Sequence, residues 1–177
     1  MNTSGDDHGP DCSTGKINRI LAKKGRELNG GYNIAMPGNY IKIYEVDSKK
    51  QESVKLDKAE KLIKNISSGI LSGVIVVKPD KLGLIAKLIN NFWQKRVNKS
   101  DKSFFAADSC NSCLICERIC PADNIRMADK KPEWLHRCQE CLACMHYCPM
   151  TAIQTKNTLN RGRYHHPEVS ANDMIRR

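Results

Sequence analysis

The stretch CNSCLICERICP (residues 110–121) returns as CQECLACMHYCP (residues 138–149), twenty-eight positions later, and these two rows decide how the chain is read. Both have the form C-x-x-C-x-x-C-x-x-x-C-P. Three cysteines at i, i+3 and i+6 let one tightly curled loop aim three thiols at a single object. The fourth cysteine is followed by a proline, which turns the chain at the start of a helix or turn with no donor lost. Soft thiolates select iron–sulfur clusters, zinc or Cu(I). A zinc site uses separated pairs that close one tetrahedron, so the third cysteine of each row would be surplus and the Cys-Pro unexplained. Disulfides suit such close spacing poorly, and nothing else in the chain points to secretion.

The repeat extends past the cysteines. Leu114 matches Leu142 and Ile125 matches Ile153 at the same offset, while Ile115, Ile119, Met145 and Tyr147 add apolar bulk between the thiols. Such residues form a small core and keep water from the sulfurs. The run is that of bacterial two-cluster ferredoxins, whose fourth cysteine ligates the other cluster. That resemblance implies two 4Fe–4S clusters with crossed ligands. Cys110, Cys113, Cys116 and Cys148 would hold the first; Cys138, Cys141, Cys144 and Cys120 the second. Zinc and disulfides stand as the alternatives. Crossing makes each half depend on the other, and metal binding is then folding free energy.

The chain has 177 residues, enough for one ordinary domain or two small ones. The cluster module, residues 101–158, divides into half-repeats of about 101–130 and 131–158. Residues 1–77, a helical linker at 78–100 and a basic tail at 159–177 make up the rest. No run of eighteen apolar residues exists, so no membrane span is expected. The N-terminus carries Asp6, Asp7 and Asp11 and no signal-peptide core, so a reducing cytoplasm is expected.

Charge is unevenly placed within the formal net +10. Residues 108–158 hold six acids and six bases, residues 1–107 nineteen bases against eleven acids, and residues 159–177 four against two. Each oxidised cluster with its thiolates adds roughly −2, so the loaded module would be anionic between basic flanks. The lysines are interleaved with acids at helical spacing, as in Lys55, Lys58, Glu60, Lys61 and Lys64, which is the pattern of a solvated helix face. Nucleic acid is therefore not expected as a partner. Redox protein partners are, with an acidic flavoprotein or flavodoxin-like domain steered to the basic surface.

Outside the rows, residues 13–28 predict a helix ended by Gly30 and Gly31, and residues 32–36 a short strand. Residues 36–40 read as a turn, residues 54–66 as an amphipathic helix with the stripe Leu56, Ala59, Leu62, Ile63 and Ile66, and residues 82–97 as a further helix. A turn is expected at Lys130-Lys131-Pro132, followed by a short strand at Trp134 to His136. His136 and His146 lie close to the ligands and are expected to pack or to hydrogen-bond sulfur. Cys12 is read as a free thiol.

Together with the rows, Met36-Pro37-Gly38-Asn39-Tyr40, Trp134-x-His136, Arg161-Gly162-Arg163-Tyr164 and His165-His166-Pro167 resemble a family of ferredoxin fusions from anaerobes. In these a flavodoxin-like domain precedes a two-cluster ferredoxin. The similarity covers most of the chain, from about Asp11 to Glu168. It implies an α+β fold: a bacterial two-cluster ferredoxin-type module preceded by an incomplete α/β flavodoxin-like C-terminal segment. In that family a strand and an S/T-x-T-G-x-S/T loop cradle flavin mononucleotide. No strand is read before Ser13-Thr14-Gly15-Lys16, so FMN is not expected on this chain alone, and an N-terminally truncated relative is expected. The implied function is one-electron transfer through two 4Fe–4S clusters, a carrier rather than a catalyst. The alternative is the C-terminal part of a flavin-linked flavodoxin/ferredoxin oxidoreductase whose FMN-binding portion is missing.

Overall fold

Local signals set the elements before packing does. In the computed structural model, which describes residues 2–4, 12–73, 92–94 and 96–175, the chain divides into two compact units. One comprises Met1–Gly38 and Asp47–Leu88, the other Asn39–Val46 and Ile89–Arg177. The fold is mixed, with helices and three two-stranded sheets among the described residues.

In the first unit, β1 (Asn2–Ser4), α1 (Cys12–Ala22) and β2 (Asn33–Ala35) run in order. The two strands pair in parallel, with Thr3 opposite Ile34. A strand therefore does precede α1, which corrects the sequence reading. Its residues are polar and carry no apolar alternation that could announce it. The helix also ends sooner than expected. Gly25 takes φ +65° after Ala22, and the chain turns back so that Leu28 N donates to Asn18 Oδ1 at 2.8 Å. Gly30 and Gly31 thus lie beyond the helix end.

The longest helix, α2 (Lys49–Leu71), starts at a capping box: Ser48 and Gln51 each satisfy the other's backbone N–H. Ile34 of β2 is fully buried against Ala59 and Ile66, two helical turns apart, with Tyr32 and Met36 at the margin. The rest of the expected stripe is less covered, Leu62 and Ile63 being 39% and 38% exposed. Asp47 accepts from Gly38 N at 3.1 Å and from Lys55 Nζ at 2.8 Å, tying residues on either side of 39–46.

The second unit carries the cysteine rows. A 3-10 helix (Val97–Ser103) leads into β3 (Phe105–Ala106). Then follow α3 (Ile115–Arg118), β4 (Ile125–Ala128), β5 (Lys131–Trp134), α4 (Ala143–His146), β6 (Ile153–Gln154) and α5 (Ala171–Met174). Antiparallel β3–β6 pairs Phe105 with Gln154 and Ala106 with Ile153. Antiparallel β4–β5 pairs Arg126 with Glu133 and Ile125 with Trp134. Shifted by twenty-eight residues, one pair of registers becomes the other, so the sequence repeat is also a structural repeat.

The hairpin turn sits at Asp129 and Lys130, whose φ values are 46° and 64°. The sequence reading had it one to two residues later. Two consecutive left-handed residues give the tight turn that matches strand twist. Pro132 is then free to sit in a two-stranded edge, where its missing N–H costs little. The predicted strand correspondingly ends at Trp134, before His136. Of the helix expected at 82–97, residues 82–91 and 95 lie outside the described set; residues 92–94 are helical, and Val97 begins the 3-10 helix. Among the described residues, no helix is long and apolar enough to cross a membrane.

The core of this unit is Ile41, Phe104, Cys116, Ile125, Leu142, Met145 and Ile153. Ile41 comes from Asn39–Val46, far from the rows in sequence. The tail is drawn in as well. Arg161 Nη1 donates to the carbonyls of Ile41 (2.8 Å) and Tyr44 (2.9 Å), and Gly162 N donates to Glu45 Oε1 at 2.9 Å.

Candidate metal centre

Each row curls by the same device. Within the first, Ser112 and Leu114 have φ of 60° and 64°; within the second, Glu140 and Leu142 have 54° and 58°. Left-handed residues alternating with right-handed ones turn successive N–H groups to one side of the loop, the arrangement of an anion-binding nest. They also bring cysteines three apart to the same side. After the fourth cysteine, Asp123 and Thr151 repeat the pattern at 47° and 50°. A left-handed leucine is uncommon and strained, and such strain persists only where its surroundings enforce it.

The eight thiols sort into two cavities. Cys110, Cys113, Cys116 and Cys148 line one, closed by Met127 and Ile153. Cys120, Cys138, Cys141 and Cys144 line the other, closed by Phe104 and Trp134. Three residues of each row thus share a cavity with the fourth cysteine of the other row. Cys12 begins α1 in the first unit, and the rest of its surroundings lie outside what is described.

Backbone donors are aimed at the sulfurs. Asn124 N reaches Cys120 Sγ at 3.3 Å, Ala152 N reaches Cys148 Sγ at 3.2 Å, and Glu140 N reaches Cys138 Sγ at 3.2 Å. The first two are equivalent under the repeat. Such bonds favour a thiolate. Burial acts the other way. It pushes the Cys116 thiol up to about 12, helped by Cys148, Cys113 and Cys110. Burial also raises Cys144, with Cys141, Cys116, Cys138 and Cys120 adding to it. Cys138 is raised by burial too, opposed by the nearby Ser100 hydroxyl and by the Glu140 N–H. Thiols raised in this way keep their protons at neutral pH, and metal binding would release them.

Among the described residues, no three His, Cys, Asp or Glu side chains gather as a single metal ion would need. The thiols stand instead around the walls of the two cavities. Soft donors in fours, apolar walls and N–H groups directed at sulfur are the chemistry that 4Fe–4S clusters require, so the residues present fit that group.

Both histidines near the rows are committed elsewhere. His136 Nδ1 meets Asp101 Oδ1 at 2.7 Å. Asp101 is buried, and its other oxygen accepts from Asn124 Nδ2 at 2.8 Å. His146 accepts from Tyr164 N through Nδ1 (3.0 Å), while its Nε2 meets the Asn39 carbonyl at 2.7 Å. Asp101, Asn124 and residues 41–46 were not singled out by sequence, and Asn39 and Tyr40 were read only as part of a turn and of the resemblance. Asn124 follows Cys120 by four residues, as Ala152 follows Cys148, and only that repeat position could have drawn attention to it.

No protein-family model, curated protein or solved structure matches this chain.

Proposed function

We propose that the chain is a one-electron carrier of the two-cluster ferredoxin type, related to fusions in which a flavodoxin-like domain precedes the cluster module. The observation that carries this reading is the sorting of eight thiols into two fours, each taking one member from the opposite row. Cys110, Cys113, Cys116 and Cys148 would hold one cluster, and Cys120, Cys138, Cys141 and Cys144 the other. When bound, each 4Fe–4S cluster supplies a centre that accepts and releases one electron.

The chain's own residues do the rest. The left-handed loop residues fix the cysteine directions. Met127, Ile153, Phe104 and Trp134 close the cavity walls against water, which helps set the potential. The N–H groups of Asn124, Ala152 and Glu140 stabilise negative charge on sulfur. Redox proteins are the partners expected for such a carrier. The formal net charge of +10 favours acidic ones, a flavoprotein or a flavodoxin-like domain among them. Buried thiols that must stay reduced until metal arrives suit a reducing compartment such as the cytoplasm.

Anaerobic reconstitution tests the assignment. Iron and acid-labile sulfide near eight per chain, with visible absorbance bleached reversibly by dithionite, are expected. Cys148→Ser should damage the cluster held mainly by the first row, and Cys120→Ser that held by the second. Each should leave about half the iron of the parent protein. Four irons per chain in the parent, or zinc in their place, overturns the two-cluster reading.

A further inference from the structure

The repeat makes one exception visible. Ser112 and Glu140 are equivalent, each lying between the first and second cysteines of its row with a left-handed backbone. Ser112 Oγ is exposed and donates to the Lys130 carbonyl at 2.6 Å. Glu140 is only 7% exposed, and it carries a carboxylate where the other row carries a hydroxyl.

That carboxylate is held from outside the row. Lys42 Nζ forms an ion pair with Glu140 Oε1, with both side chains largely covered. The Lys42 ammonium also lies 5.4 Å from the centroid of Phe104, a wall residue of the second cavity. The Tyr40 phenol also lies close to Glu140. Ile41, between the two, is 1% exposed in the core, so its neighbours are held in place. Among the described residues, a module built from two matching halves thus carries a covered charge pair beside one cavity only.

We propose that Lys42 and Glu140 make the two cluster sites inequivalent, Lys42 acting as a positioning residue that sets the potential at the Cys120/Cys138/Cys141/Cys144 site apart from its counterpart. The proposal rests on the cluster-binding reading above. Reduction adds one electron, taken from an external donor, to a site beside this pair. With both partners present their fields largely cancel. Without Lys42 a covered carboxylate faces the incoming negative charge, and reduction there becomes harder. Without the carboxylate the ammonium remains, and reduction becomes easier. Such a difference gives an electron a downhill direction between two otherwise matching sites.

The test is a potentiometric titration of the reconstituted full-length protein, followed by EPR of the reduced clusters. Lys42→Met should lower one of the two reduction steps by a tenfold or greater change in its equilibrium, about 59 mV for one electron. Glu140→Gln should raise the same step, the double variant should return it towards the parent value, and Lys42→Arg should leave it unmoved. The shift should persist in a Cys148→Ser background and vanish in Cys120→Ser. A purely structural role would not give shifts of opposite sign. Iron near eight per chain with both steps moving together, or neither moving, overturns the proposal while sparing the carrier reading. Failure to bind iron at all overturns both.

Discussion

His146 spends both ring nitrogens on the backbone. Its Nδ1 accepts the Tyr164 N–H, so the proton sits on Nε2 and is donated to the Asn39 carbonyl. Burial holds its pKa below the ordinary histidine value. The folded chain therefore needs the ring neutral, while the unfolded chain takes up a proton near pH 6.5. Stability from this group is full above that pH and is lost as pH falls through the lower folded value. Denaturant unfolding measured from pH 7 to pH 5 should show a decline that is shallower in His146→Gln; an identical slope would remove His146 as its source. His146→Ala should cost about 1–3 kcal/mol, by leaving the Asn39 carbonyl and the buried Tyr164 N–H without their partner. The sequence placed this histidine beside the ligands and suggested packing or a bond to sulfur. Its real partners lie 107 and 18 residues away in the chain, a distance no local pattern spans.

Gly162 marks where the tail crosses the segment Asn39–Val46. A Cβ built there would come within 2.5 Å of Val46 Cγ2 and 3.4 Å of Glu45 Oε1. Gly162→Ala should destabilise the second unit by about 1–3 kcal/mol through overpacking, and Val46→Ala should recover part of that in the double variant, read by thermal unfolding. Full stability in the single variant would mean that this crossing yields easily. Elements were legible to the extent that they obey a period or a cap. The α2 helix was visible in its spacing, though its capping Ser48 starts it earlier than the apolar stripe implied. β1 was invisible because Asn2, Thr3 and Ser4 offer no alternation, and β3 and β6 have only two residues each. The hairpin turn was displaced because Asp129 and Lys130 take φ values usually announced by glycine. The packing of the tail was not legible, although its motifs were quoted, because its basic residues look like a solvated end, whereas Arg161 and Arg163 point into carbonyls and Gln154.

The molecule as a whole joins a unit with an ordinary core to one whose core includes its thiols. Cys116 belongs to the buried cluster of the second unit, with Cys120, Cys138 and Cys144 packed against it. Stripping iron from the reconstituted protein with a chelator should therefore abolish amide-exchange protection across residues 105–154 and leave protection in α2. Protection that survives chelation in both units would mean that the second folds without metal. The repeat of the rows was fully legible in sequence, because twenty-eight-residue spacing survives as strand register, helix position and backbone sign alike. The second unit's boundaries were not, because it is discontinuous: Asn39–Val46 belongs with Ile89–Arg177, although the intervening chain belongs to the first unit. The cysteine-bearing part is consequently no cassette. A recombination event cutting at residue 101 would carry off all eight thiols yet leave behind Ile41, Lys42 and the Asn39 carbonyl. Inheritance of the cysteine-bearing half is bound to that of the half before it.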